Sequence, residues 1–518
     1  MTDLQAALRD PLPRDRVTAW AVTVGITLLA FALRVVRLGD PNKLVFDETY
    51  YPKDAWSLLH FGYERGWAPD ANEQIVAGST DLWQEGPAFI VHPQLGKWLI
   101  AAGEQLFGMT SFGWRFSACV FGALLVLVTV RLVRRITRST LLGGAAGVLL
   151  AFDGLAFVMS RIGLLDIFQA FFLVAAVSAL VADRDWFRTR LADHLTARGL
   201  PDLGGVAGPL VLWRPWRVLA GVMFGCALGV KWNSVYVLAA FGLLSVAWDV
   251  GARRLAGAGR RSALGLLVDG VPAFLSTVVL GALVYLATWS SWLATSGGWS
   301  RDWGAQHPEA LSTRLLGAPL ASLLHYHQEI YGFHTGDYIT EEATHSYAAD
   351  PIGWLVLART IGIDAVNNIQ PGTDGCPVDV DQCQRVITGI GTPLLWWVGA
   401  VCLLMSVFFW LARRDWRFGV VVVGVASTWL PWFQYTDRPQ FLFYAITIVP
   451  FTVLALCLVM GLVLGPPVPG SRRRIGAIVC GVFVALVVLN FAFFYPVWTN
   501  ALLTREQWLD RMWLRTWI

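Results

Sequence analysis

Charge is scarce in this sequence, and lysine is scarcer still. Charged residues make up 15% of the 518, against roughly 25% in a typical soluble domain. Of the 40 basic residues only four are lysines, Lys43, Lys53, Lys97 and Lys231. A soluble multidomain enzyme does not accommodate so little charge among so many long apolar runs. A cleavable signal pattern is also missing. Arg9, Arg14 and Arg16 precede an apolar run from about Val17 to Leu38, too long for a signal-peptide core and expected to be an uncleaved first span. No internal repeat of fixed period is present. The glycine-rich "GAGRRS" (257–262) lacks the Lys–Ser/Thr of a phosphate-binding loop. No inserted water-soluble domain and no nucleic-acid partner are expected.

What the chain has in quantity is apolar sequence. Hydrophobic residues are 56% and mean hydropathy is +0.54. Spans are expected near 17–38, 114–132, 140–158, 163–182, 216–231, 234–250, 266–288, 393–412, 418–434, 441–462 and 475–497, each about long enough for a hydrocarbon core of roughly 30 Å. The expected fold class is therefore an all-α polytopic membrane protein with about eleven transmembrane helices, as a single transmembrane domain over residues 1–518. Arginine-rich loops at 131–138, 183–190, 251–261, 412–417 and 471–474 all fall on one side of such a chain. The positive-inside bias makes that side, and the N-terminus, cytoplasmic. The tryptophan-rich C-terminus then lies outside.

Two long segments, 39–113 and 289–392, fall on the outer face. Segment 92–108 reads as an amphipathic helix lying at the interface. Five of the seven cysteines sit in apolar runs as small hydrophobes. Cys376 and Cys383 instead share the polar stretch "GCPVDVDQC", where an oxidising compartment permits a disulfide.

The candidate chemistry gathers on the outer side. "LVFDETYYPKDAW" (44–56) places Asp47 and Glu48 at the end of the first span. Arg115 opens the second span, Arg161 and Asp166 flank the turn "SRIGLLD", and Lys231 lies in "VKWNS". His92 and Lys97 belong to the interface segment, and His325, His327 and His334 to "LHYHQEIYGFH". Charges at a membrane boundary are costly and hence functional candidates. Basic residues can also snorkel to headgroups, but adjacent carboxylates gain nothing from anionic lipid. Cations beside a carboxylate suit transfer of a sugar from a lipid phosphate. The cations stabilise the departing phosphate, and the carboxylate accepts the proton of the incoming hydroxyl. Asp, Glu and His on one face could hold a divalent ion, yet no spacing demands one and no metal site is assigned.

"VFDETYY", "VHPQLGKWLI", "WRFSA", "SRIGLLD", "GVKWNS" and "HYHQEIYGFH", in this order, resemble the protein O-mannosyltransferase family, membrane glycosyltransferases of GT-C architecture. The likeness runs from about residue 30 to the tryptophan-rich end. It implies inverting transfer of mannose from polyprenyl-phosphate-mannose to Ser or Thr of secreted or membrane polypeptides, at the outer face of the plasma membrane. Unfolded or translocating chains are the implied acceptors, and the secretion translocon a candidate neighbour. Asp47 matches the family's acceptor-facing base, with Glu48 orienting sugar or tying down the loop. Arg115, His92, Lys97 and His327 match donor-binding positions, and Arg161 and Lys231 are added from their placement. The chain departs from the family at Gln94, where a second proline is usual, and at "THSYAADPIGW" (344–354), where His-Pro-Tyr is usual. The MIR domain of eukaryotic members is not found. Two other classes fit less well: a GT-C enzyme passing another lipid-linked sugar to a lipid or glycan, and a transporter. The latter would show inverted repeats and mid-span charges.

Overall fold

In the computed structural model, which describes residues 3–518, the apolar runs are helical almost throughout. Among the described residues six stretches are long and apolar enough to cross a membrane: Arg16–Val35, Ser111–Thr137, Asp166–Ala197, Ser234–Ala287, Pro393–Arg413 and Ser471–Trp498. Thr140–Ala151, Pro215–Val230 and Val449–Leu464 are apolar but shorter. The protein is thus a multi-pass helical membrane protein. One of the six stretches, Ser234–Ala287, is a continuous run of 54 residues. Its two halves pack on each other, and it turns back at Gly257 and Gly259, whose φ values of 93° and 56° favour glycine.

Helix starts follow local chemistry. The Thr110, Ser139 and Asp153 side chains accept from the backbone N–H of Gly113, Leu142 and Ala156, capping three successive helices. Small residues allow close helix contact. A Cβ on Gly147 would stand 2.4 Å from Val130 Cγ2, and one on Gly221 2.0 Å from the Ser276 carbonyl oxygen. Helix Asp166–Ala197 is buried along most of its length and packs against Ser111–Thr137, Pro215–Val230 and Ser234–Arg253. Its N-terminal Asp166 lies at the end of the bundle that carries Asp47. Further along this helix, Asp183 and the buried Asp249 meet buried Arg214 and Arg217 at 2.6–3.0 Å.

The connecting segments are richer than an all-helical reading foresees. In the first, a 3₁₀ turn Phe46–Thr49 leads into helix Tyr51–Phe61. Strands β1 (Arg65–Trp67) and β2 (Trp83–Pro87) then pair antiparallel. The expected interface helix is Leu95–Phe107, wedged between Tyr51–Phe61 and Ser111–Thr137. In the second segment β3 (Ile361–Ile369) pairs with β4 (Cys383–Gly389), and β4 with β5 (Leu502–Thr504) near the C-terminus. Cys376 and Cys383 are disulfide-bonded, which fastens the 370–382 loop to β4. Lys43 Nζ bonds Asp364 Oδ1 of β3 at 2.8 Å, tying the two segments together.

Candidate active site

Adjacent carboxylates 47 and 48 point in opposite directions. Phe46 sets them apart with φ of 50°, a left-handed conformation costing a non-glycine residue about 1–2 kcal/mol. Its ring is held edge-on by Phe441, Phe443 and His345, at centroid distances of 5.9, 5.7 and 6.0 Å. Glu48 turns inward and is fully buried. Its oxygens accept from the N–H of Val45 (3.0 Å) and Gly163 (2.7 Å) and from Nε and Nη2 along one edge of Arg115 (2.8 Å each). The Glu48 side chain therefore ties the loop and faces no cavity.

Asp47 turns outward into a cavity of about 640 Å³, also lined by Lys53, Asp54, His92, Lys97, Lys231, His334 and Arg438. Among the described residues it has no ion-pair partner within 4.0 Å. Desolvation raises its pKa to about 6, with Lys231 pulling it down and Asp166 pushing it up. The carboxyl is thus poised close to neutrality, where a general base works best. Lys231 Nζ bonds Asp166 Oδ1 at 2.8 Å, leaving Asp166 Oδ2 buried and unpaired.

A second cavity of about 280 Å³ adjoins the first and is mostly apolar and aromatic, with Trp232, Val235, Tyr331, Trp432 and Tyr435 in its wall. His92, Lys231, His334, Arg438 and Tyr444 line both cavities. His334 Nε2 lies 2.9 Å from the Val91 carbonyl, so it carries the proton. Nδ1 then accepts from Arg438 Nη1 at 3.3 Å. Burial lowers the pKa values of His92 and His334, with Lys231 and Arg438 adding to the effect. Both rings stay neutral, and the shared wall carries its positive charge on Lys231 and Arg438. Arg438 is absent from the sequence-based candidates. It lies in "TDRPQF", in the turn between two apolar runs, where a solvated arginine is unremarkable. His345, also outside those candidates, buttresses Phe46.

Three expected donor ligands are placed otherwise. Arg115 is buried, and its five N–H groups all have partners: Glu48 twice and the carbonyls of Leu38, Pro41 and Lys43. Arg161 donates to the carbonyls of Arg34, Val36 and Arg37, closing the end of the first long helix. His327 accepts from Tyr285 and stacks behind Trp232 at 5.4 Å, reaching the second cavity only through that indole. In sequence these look like charges at a boundary; the structure surrounds them with carbonyls and aromatics. Lys97 borders the larger cavity, but its ammonium is buried between Asp54 (2.9 Å) and Glu64 (3.2 Å). Gln94 bridges Glu64 and Ser291 at 2.9 and 3.0 Å, two hydrogen bonds a proline there could not make. Among the described residues no three His, Cys, Asp or Glu side chains form a metal-binding group.

Helices crossing a membrane, a carboxylate in a cavity at one end, and cations at the border with an apolar cavity define a GT-C membrane glycosyltransferase. The fold agrees. The S. cerevisiae protein O-mannosyltransferase complex bound to the sugar donor superposes with a TM-score of 0.71 at 13% identity, over 99% of this chain and 94% of that one. The archaeal oligosaccharyltransferase AglB from Archaeoglobus fulgidus superposes with a TM-score of 0.51, over 96% and 58%. Residues 24–197 match the model of dolichyl-phosphate-mannose-protein mannosyltransferases, and residues 319–517 that of the C-terminal four-helix region of protein O-mannosyltransferases. The polyprenol-phosphate-mannose–protein mannosyltransferase of Mycobacterium tuberculosis is 38% identical over 98% of this chain and 93% of its own. Those of Mycolicibacterium smegmatis and Corynebacterium glutamicum are 34% and 32% identical, over 98% and 96% of this chain. The chain belongs to the protein O-mannosyltransferase family.

Proposed function

We propose that the protein transfers mannose from polyprenyl-phosphate-mannose to Ser and Thr hydroxyls of polypeptides, with Asp47 as general base. The observation that carries this is the pair of cavities with one cationic border. The lipid-linked phosphate sits at Lys231 and Arg438, with the polyprenyl chain in the aromatic cavity and the mannose in the cavity of Asp47. The acceptor oxygen attacks mannose C1 from the face opposite the phosphate. The C1–O bond to phosphate breaks, the configuration inverts, and the hydroxyl proton passes to Asp47. The departing monoester carries one more negative charge than the diester, and the two cations stabilise that increase. Lys231 and Arg438 replace Arg115 and Arg161 as the phosphate ligands; His92 and His334 complete the wall as neutral hydrogen-bonding groups.

The orientation that goes with this places the two cavities at the outer face of the plasma membrane and the arginine-rich loops inside. It is supported by Arg138, Arg184 and Arg417 lying at the end of the bundle remote from Asp47, Arg138 capping Ser111–Thr137 and Arg417 in the first turn of Trp416–Trp429. The test is to incubate the purified chain with polyprenyl-phosphate-mannose and a Ser/Thr peptide and read hexose addition by mass. Addition to peptide is expected. Transfer only to lipid or glycan, or none with folded protein and intact donor, would overturn the proposal.

A further inference from the structure

The end of the bundle remote from Asp47 holds a cavity of its own, of about 500 Å³. Helix Ser111–Thr137 runs from the Arg115–Glu48 contact to this cavity, and its 27 residues span roughly 40 Å at about 1.5 Å per residue. One wall is apolar, with Phe418 and Leu458. The other brings together Arg138, Arg417, Arg472 and Arg473 from three separate parts of the chain, and no carboxylate lines it.

The charges do not cancel. Arg417 is paired with Asp415 at 2.6 Å. Arg138 shares Asp185 with Arg135 and Arg184, and its other contact is the exposed Asp10. Its three guanidinium nitrogens are buried without a well-directed hydrogen bond. Among the described residues Arg473 donates only to the carbonyls of Gly465 and Pro466, and Arg472 has no hydrogen bond or ion pair. At least two positive charges therefore face a half-apolar space without a counter-charge. Continuing from Arg472 along its helix, Ile475, Ile478, Val479 and Val482 form one exposed stripe at helical spacing. A small soluble anion would use the arginines and leave the apolar wall and stripe uncovered. An anionic lipid uses all three, its phosphate on the arginines and an acyl chain along the stripe.

We propose that this cavity binds the phosphate headgroup of an anionic membrane lipid, at the face opposite the transfer site. The test uses the delipidated full-length chain in detergent, with phosphatidylglycerol as probe and phosphatidylcholine as zwitterionic control, bound lipid being counted by native mass spectrometry. Phosphatidylglycerol is expected to bind in preference. Arg472→Glu should weaken it about 10-fold, given about 1 kcal/mol for each cation near an anionic headgroup. Arg260→Glu, the same charge change at the same end but outside the cavity, should leave it unchanged. Arg472→Gln, with a several-fold loss, serves if the Glu variant does not keep the wild-type unfolding temperature. Equal binding of the two lipids, equal loss in Arg260→Glu, or no loss at position 472 would overturn the proposal. So would complete displacement by excess inorganic phosphate, which would mark a soluble-anion site.

Discussion

The two ends of the helix bundle use the same side chains in opposite ways. At the far end Arg214 and Arg217 meet Asp183 and Asp249 in a closed square, and all four carboxylate oxygens accept a guanidinium hydrogen bond. At the other end Asp47 has no ion pair, and Asp166 Oδ2 and Arg438 Nε are buried and unpaired. The closed square uses every carboxylate oxygen and leaves only the guanidinium nitrogen Nη1 of Arg217 without a partner, whereas the open cluster keeps a carboxylate free beside a cavity. Buried charge alone does not mark a binding site; unused bonding capacity beside a cavity does. Glu48 makes the difference sharper, because it neighbours Asp47 in sequence yet is bonded like the far end.

Breaking the comparison begins with Asp47. Asp47→Asn keeps the size and removes the base, so turnover of a Ser/Thr peptide at saturating donor should fall about 10²–10⁴-fold, with the unfolding temperature unchanged. Turnover within a few-fold of wild type would refute the assignment. Asp183→Asn should do the reverse. Leaving a buried arginine partly uncompensated costs about 3–5 kcal/mol, read as lowered thermal stability, while the molecules that remain folded transfer at the normal rate. Glu48→Gln should side with Asp183→Asn despite its position, because an amide keeps only one of the two oxygens that the Arg115 Nε and Nη2 groups bond. If it instead lost activity at full stability, the division between the two carboxylates would fail.

The sequence made one half of this comparison readable. Asp47, Lys231 and His92 stand out because they border apolar runs, where charge and polarity need a reason. Arg115 and Arg161 stand out for the same reason and yet bond to the protein's own groups, since sequence shows a guanidinium but not the carbonyl oxygens that the ends of neighbouring helices leave around it. Arg438 went unnoticed because its role depends on a turn near residue 440 folding back against His334, a contact across 104 residues. The apolar segments were legible from their length and hydropathy. The three-stranded sheet was not, because β5 comes from the far end of the chain and hides in a tryptophan-rich tail.

A finer probe is acidity. With the Asp47 pKa raised to about 6, the base is lost as pH falls through that value. kcat/KM, which reports the free enzyme, should therefore rise with pH to a plateau, with a midpoint near 6. The Lys231 charge lowers this pKa, so Lys231→Gln should move the rising limb to higher pH in addition to weakening donor binding. An unmoved limb would mean that another group titrates. The smallest effect belongs to the disulfide. Replacing Cys376 and Cys383 by Ser releases a short loop, worth about 2–3 kcal/mol of local order. Limited proteolysis within 377–382 should quicken, with transfer unaltered.

Glu48 bonds Arg115, 67 residues further along the chain, and Gly163, 115 further along, and the cavities close only with Arg438 and Tyr444. The proposed base, Asp47, is thus made early and its surroundings late. At about 5–20 residues per second, roughly 20–80 s of synthesis separate Asp47 from Tyr444. Through that interval the ribosome holds a chain whose first helices are inserted but whose donor pocket does not yet exist. On the proposed assignment activity switches on close to the end of translation, since a chain halted before residue 438 lacks one of the two cations proposed to hold the donor phosphate.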